Sequence, residues 1–186
     1  TWKPVDGLDW EANATLSRNR VKDVTVNLTD GSVYTIAGES QLAFSPNAVF
    51  NNVLTFSKAG FIGRVMTHFV GEQNLTNTGF KTMQTKDANR QATSDVISLK
   101  QYATTDLALS YTFAPKTRSI EGVTLGLTLY NLFSSQYDSN GWATPQYRLD
   151  GTTLVAENTW GPRDSDAAGF APSAPFHMMA HLRIEF

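Results

Sequence analysis

Two histidines near the end of the chain, His177 and His181, stand four residues apart. On a helix that spacing would suit a shared metal ion. On a strand it separates the imidazoles by about 13 Å, too far for ligand distances of about 2 Å. The residues around them alternate as a strand does, so no metal site is assigned. Asp106, Ser110 and His181 offer the residue types of a serine hydrolase. No nucleophile elbow or orienting pattern accompanies them, and they read as a solvated wall. Asp9 and Glu11 read the same way. No catalytic residue and no cofactor is assigned. The segment Ser134–Pro175 has a different character. It holds Trp142, Tyr147, Trp160, Arg163 and Phe170. Aromatic rings with arginine are typical of recognition loops. Trp142, Tyr147, Trp160 and Arg163 are therefore the candidate ligand-contacting residues. The same rings would also serve to pack the loop against its neighbours, and the sequence favours neither role.

The elements that would carry these residues are strands. From Leu8 to Ser17, Leu8, Trp10, Ala12, Ala14 and Leu16 share one parity; Asp9, Glu11, Asn13, Thr15 and Ser17 share the other. Successive side chains of a strand point to opposite faces, so this pattern gives one apolar and one polar face. Ala48–Ser57 repeats it with Phe50, Leu54 and Phe56, and Asn52 interrupts the apolar parity. Phe61–Gly71 sets Phe61, Val65 and Phe69 against Arg64 and His68, and Ile62, Met66 and Val70 blur the contrast. Tyr102–Phe113 and Val123–Tyr130 follow. The last strand, Phe176–Phe186, puts Phe176, Met178, Ala180, Leu182, Ile184 and Phe186 on one face. Val24–Leu28 and Val33–Ala37, joined by Thr29-Asp-Gly-Ser32, read as a hairpin within a longer loop.

The connections alternate in length. Lys58–Gly60 and Ala114–Gly122 are short; the regions near 18–47, 72–98 and 134–175 are long. An up-and-down transmembrane barrel has short periplasmic turns and long outer loops. Trp10, Phe56, Phe61, Phe113 and Phe186 fall at the short-turn end, where aromatic rings would meet a membrane–water boundary. Phe50, Phe69 and Phe176 would form the opposite girdle. The expected fold is therefore all-β: an up-and-down antiparallel transmembrane β-barrel segment of about six strands. The bland alternative is a water-soluble β-sandwich, in which Leu182 and Ile184 would be buried.

Composition agrees with a wall that is apolar only on alternate residues. Charged residues make up 17% and hydrophobic residues 41%, against roughly 25% charged in soluble domains. A net charge of -2 gives no electrostatic case for nucleic acid. The absence of Cys removes disulfides, zinc ribbons and thiol nucleophiles. No apolar run is long enough for a membrane helix. The chain starts at Thr1 without Met or signal peptide, and is expected to be a piece of a longer precursor.

Several segments in order resemble the late barrel of TonB-dependent outer-membrane receptors, in the style of Bacteroidota-like bacteria. They are Leu42-Ala-Phe-Ser-Pro-Asn47, the stretch from Phe69 through Asn77, Thr105–Phe113, and Val123–Phe133 with Asn131-Leu-Phe133 followed by Tyr137. Asn140-Gly141 and the closing tail complete the likeness. The tail itself resembles a barrel-assembly signal carried by Phe176, Leu182, Ile184 and Phe186. The resemblance implies a 22-stranded barrel plugged by an N-terminal domain, both largely absent here. It implies residence in the outer membrane of a Gram-negative bacterium and no enzymatic activity. Its function would be active uptake of a scarce nutrient: an iron chelate, haem, a cobalamin or an oligosaccharide. The implied partners are outer-membrane lipid, the rest of the barrel and its plug, the TonB complex, and a surface lipoprotein. The alternatives are an outer-membrane adhesin or scaffold, or a barrel hydrolase. Six such strands would leave two open edges, each unpaired backbone group costing several kcal/mol in lipid. A fragment, a split receptor or a portion of a larger assembly is therefore expected.

Overall fold

The computed structural model describes residues 1–86, 92–116, 119–158 and 167–186. Those residues are all-β, with no helix among them. The chain alternates between a wall and excursions from one end of it. The wall begins with β1 (Trp2–Val5) and β2 (Leu8–Leu16). A first excursion carries β3 (Arg20–Asn27) and β4 (Val33–Gln41). The wall resumes with β5 (Ala48–Lys58) and β6 (Phe61–Val70). A second excursion carries β7 (Gln73–Asn74), β8 (Thr82–Lys86), β9 (Ala92–Val96) and β10 (Ser98–Leu99). Wall strands β11 (Tyr102–Phe113) and β12 (Gly122–Tyr130) follow. A third excursion carries β13 (Asp138–Ala143), β14 (Gln146–Asp150), β15 (Thr153–Glu157) and β16 (Ala168–Pro172). The wall ends with β17 (His177–Glu185).

The wall is one antiparallel sheet in the order β1-β2-β5-β6-β11-β12-β17. Every wall strand pairs with the next wall strand in the chain, the up-and-down order that the sequence pattern predicts. Each of the six expected strands is present within a residue or two of its expected bounds. The four-residue β1 is additional, and pairs Trp2 with Trp10. The terminal strand is shorter than expected: Phe176 precedes it and Phe186 follows it.

Register fixes the faces. Trp10↔Leu54, Leu54↔Val65, Val65↔Leu107, Leu107↔Leu129 and Leu129↔Met178 form one row across the sheet. A parallel row on the same face joins Phe61, Tyr111, Leu125 and Leu182. The opposite face carries Asn13↔Asn51↔His68↔Thr104. Ile62, Met66 and Val70, which blur the alternation of β6, lie on the polar face with Arg64 and His68. A single residue of slip would exchange the faces, and none of the ladders from β2 to β17 slips.

The polar residues of the apolar face satisfy one another. The Trp10 indole N–H donates to Asn52 Oδ1, so the residue that interrupts the β5 pattern has a partner. Thr67 and Thr105 share a hydroxyl hydrogen bond of 3.2 Å. At the turn end, rings pair along this face: Trp2 with Trp10 at 6.0 Å, Phe56 with Phe61 at 6.3 Å, and Tyr111 with Phe113 at 6.0 Å.

Among the described residues, neither face of the wall is covered by a second sheet. Leu182 is 59% exposed and Ile184 41%, so the sandwich alternative fails at the residues that would have been its core. The buried core lies in the excursions instead. Val26 and Leu28 from the first, Met83 and Ile97 from the second, and Tyr147, Ala156 and Ala167 from the third pack into one cluster. Main-chain bonds tie the layer together. Thr29 N–H donates to Tyr147 O at 2.8 Å, and Asn158 N–H to Gln84 O at 2.7 Å. Loops that look merely polar in sequence thus contribute a few apolar residues each to a shared interior.

The short turns are built by glycine. Ala59 and Gly60 have φ of 49° and 83°, the paired positive angles of a type I′ hairpin turn. A Cβ on Gly60 would lie 2.3 Å from the Thr112 carbonyl oxygen, whose residue donates its N–H to Gly60 O at 2.9 Å. Gly7 meets Ser57 in the same manner. Gly60→Val is therefore expected to lower stability by on the order of 3 kcal/mol. A fall in the unfolding midpoint checks it; an unchanged midpoint would mean that the turn is not pinned to β11.

Candidate functional site

Where the wall meets the excursions, side chains of the polar face form a line. Asn51 Nδ2 donates to Asn13 Oδ1 at 2.9 Å, and Asn51 Oδ1 meets His68 Nδ1. The acceptor oxygen makes Nδ1 the protonated nitrogen of His68. The His68 ring lies 6.3 Å from Tyr102, which stacks on Tyr137 at 4.0 Å. Tyr137 opens onto a cleft of about 730 Å³ whose other sides include Lys100, Gln101, Asp138 and Phe170. That volume lies in the range of small-molecule sites, with rings for contact area and amides and charges for orientation.

Asn131 holds this end together. It is buried and has φ of 49°, a left-handed conformation that asparagine tolerates better than most residues. Its backbone N–H donates to Asp106 Oδ1 at 2.8 Å. Its side-chain amide donates to Ser135 O at 2.9 Å and Ala174 O at 3.2 Å. Its Oδ1 accepts the Ser135 N–H at 2.9 Å. One residue therefore links β11, the outgoing limb of the third excursion and the limb that returns to β17. The Asn-Leu-Phe followed by Tyr that stands out in the sequence is this joint with its stacking ring. Sequence reasoning assigns it no role, because two of its three partners lie 25 and 43 residues away. Asn77 has a comparable job: its Oδ1 accepts the Ala43 N–H at 2.7 Å, fastening the first excursion to the second.

The candidate ligand residues have separate fates. Trp142 is 46% exposed and pairs with Gly169. A Cβ on Gly169 would lie 2.5 Å from the Trp142 indole nitrogen, so the missing side chain gives the ring its seat. Tyr147 is turned inward and only 9% exposed. Its hydroxyl shares a hydrogen bond of 3.3 Å with Thr78, and its ring lies 6.1 Å from Phe80. It packs the excursions together and offers no face to an external ligand; parallel bridging of Leu28 to Tyr147 draws it inside. Trp160 and Arg163 lie outside the described residues. The rings at the cleft are those of Tyr137 and Phe170, with Tyr102 stacked on Tyr137.

Burial raises the Tyr147 phenol above its ordinary pKa, although bonds from Thr78 and Thr76 act the other way. The neutral phenol is thus the favoured form in the folded layer. Its contribution to stability is intact below about pH 10 and is lost as pH rises through the folded value, because the unfolded chain ionises first. Tyr147→Phe is expected to flatten this alkaline loosening, at a loss of about 0.5–1.5 kcal/mol near neutrality from the absent hydroxyl bond. Protease sensitivity of the excursions against pH checks both parts.

The residues that could suggest hydrolysis are dispersed. Ser110 and His181 flank Gly126 in one row of the polar face, and the His181 ring overlies that glycine. Asp106 stands four residues further along β11, roughly 13 Å away at strand rise, where its carboxylate accepts the Asn131 N–H. His177 stacks on Tyr130 at 4.8 Å, and its Nδ1 lies 3.0 Å from Pro175 O. His177 and His181 are thus each engaged with different neighbours.

No protein-family model matches the chain, and no curated protein matches it. Among solved structures, the fold is similar to that of the ferric yersiniabactin uptake receptor FyuA from Yersinia pestis. The TM-score is 0.50 at 13% sequence identity, and the likeness covers 100% of this chain and 22% of that receptor's chain. The chain thus spans about a fifth of the length of the protein it resembles. At that identity the likeness is one of fold, and the fold is an all-β, antiparallel, up-and-down barrel wall.

Proposed function

We propose that this chain is the C-terminal part of the barrel of a TonB-dependent receptor in the outer membrane of a Gram-negative bacterium. Such a receptor takes up a scarce nutrient by energised transport and does no chemistry on it. What carries the reading is the single-layer wall: an apolar face in register across its six longer strands, with no protein over it among the described residues, beside a compact protein layer at one end only. Hydrocarbon is the cover that such a face fits, and strands of 9–12 residues, tilted about 45°, match an apolar band of about 25 Å. The ring pairs at the turn end fit the periplasmic boundary. The excursions then face the outside, where the cleft beside Tyr137 and the exposed Trp142 ring would meet a ligand. The polar face would line the passage around a plug. Partners on this reading are lipid, the remainder of the barrel and plug, the TonB complex, and a surface lipoprotein. The fold likeness to an uptake receptor supports the same assignment.

Uptake is the test. Cells carrying the intact receptor are expected to accumulate one labelled ferric chelate, haem, cobalamin or oligosaccharide, and to stop when a protonophore collapses the inner-membrane gradient. Accumulation of none of the four, or accumulation indifferent to the protonophore, would remove the transport reading.

A further inference from the structure

A second cleft, of about 620 Å³, opens between the first hairpin and the second excursion, away from Tyr137. Tyr34 and Phe80 give it aromatic surface, and Asn74 lines it. Asn74 is only 3% exposed, and its Oδ1 has no hydrogen-bond partner. The oxygen is covered, so a ligand reaches it through a local side-chain shift, and a hydrogen bond made there would relieve the cost of leaving it unpaired. Four cationic residues are close by. Lys81 is held by Glu72. Glu39, the acidic group of the cleft, is met from outside it by Arg18 at 3.6 Å and Lys22 at 3.8 Å. Arg20 lines the cleft, is exposed, and makes no ion pair among the described residues.

We propose that this cleft binds an acidic sugar, a pyranose carrying one carboxylate per unit. The uncommitted guanidinium of Arg20 would take the carboxylate in a two-point bond, which a planar fork does better than any other side chain. One uncommitted cation engages one carboxylate, so a dimer is held through the acid group of one of its units. A sugar hydroxyl both donates and accepts, so it meets either end of the Asn74 amide. The apolar C–H face of the ring rests on Tyr34 and Phe80, as amphipathic ligands do on aromatic walls. The cleft would accept a short oligomer more readily than a single unit, since its volume is in the middle of the small-molecule range. The proposal supplies a substrate class for the receptor described above and rests on that reading only for the outward placement of the excursions.

The test is calorimetric titration of the whole detergent-solubilised receptor with a galacturonate dimer and with the uncharged galactose dimer. The acidic dimer is expected to bind about tenfold or more tightly than the neutral one, the difference of one charge-assisted bond. Arg20→Gln, at an exposed position, should abolish that preference and leave the neutral dimer's affinity unchanged. Asn74→Leu should weaken both dimers. Failure of the acidic dimer to bind, or an unchanged preference in Arg20→Gln, overturns the site. The titration does not depend on transport. Galacturonate binding without protonophore-sensitive uptake would overturn the receptor reading and keep the site. Energised uptake of another nutrient with no galacturonate binding would overturn the site alone.

Discussion

Leu127→Arg is expected to remove the protein from the outer-membrane fraction, whereas Thr128→Arg, one residue on, leaves it there. Leu127 sits mid-strand on β12, between Leu109 of β11 and Ala180 of β17 on the apolar face. An arginine near the midplane of the lipid face costs roughly 2–4 kcal/mol, because the guanidinium loses water that no hydrocarbon replaces. Thr128 lies between Ala108 and Met179 on the other face. An arginine there reaches the solvated interior at little cost. The contrast isolates the environment of the two faces, because strand propensity, position and added charge are nearly the same in both variants. Fractionation of the full-length protein, with heat-dependent migration as a sign of a folded barrel, reads the outcome. Equal assembly of the two variants would mean that hydrocarbon does not wet the Leu127 face, and the membrane assignment would fall with it.

Asn131→Leu is expected to free the third excursion while the wall still assembles. The side chain makes two donor bonds and one acceptor bond, to Ser135 and Ala174. Leucine replaces none of them, and it tolerates φ of 49° less well than asparagine does. Stranding buried backbone groups at about 1–3 kcal/mol each, with the backbone strain added, gives a local loss on the order of 3–5 kcal/mol. Limited proteolysis on intact cells should then cut within Ser134–Pro175, and ligand capture at the cleft beside Tyr137 should drop. Asp106→Ala removes only the acceptor of the Asn131 N–H, so its effect should be smaller and in the same direction. If Asp106→Ala opened the loop more than Asn131→Leu, the joint would lie in β11 and not at Asn131.

Much of the wall was readable before any coordinate. Leu8–Leu16, Tyr102–Phe113 and Gly122–Tyr130 declare their faces by strict alternation, and the pleat that produces alternation is a property of each strand alone. The short turns were readable for the same local reason. The four residues of β1 were not, being too few to show a period. Neither was the satisfaction of Asn52, which depends on the indole of Trp10 across the β2–β5 ladder, 42 residues away in the chain.

The excursions mark the limit. Their sequence shows polar segments with scattered apolar residues, and it supports a binding role for Tyr147 as well as a packing one. The docking of three separate excursions decided the matter, bringing Val26, Met83 and Tyr147 into one interior and leaving Trp142 outside. Side-chain facing along a strand is set by the next residue in the chain, so the sequence alone determined the two faces of the wall. Burial in a layer is set by whichever distant segment arrives to exclude water, so only the tertiary structure determined the core, the joint at Asn131 and the clefts.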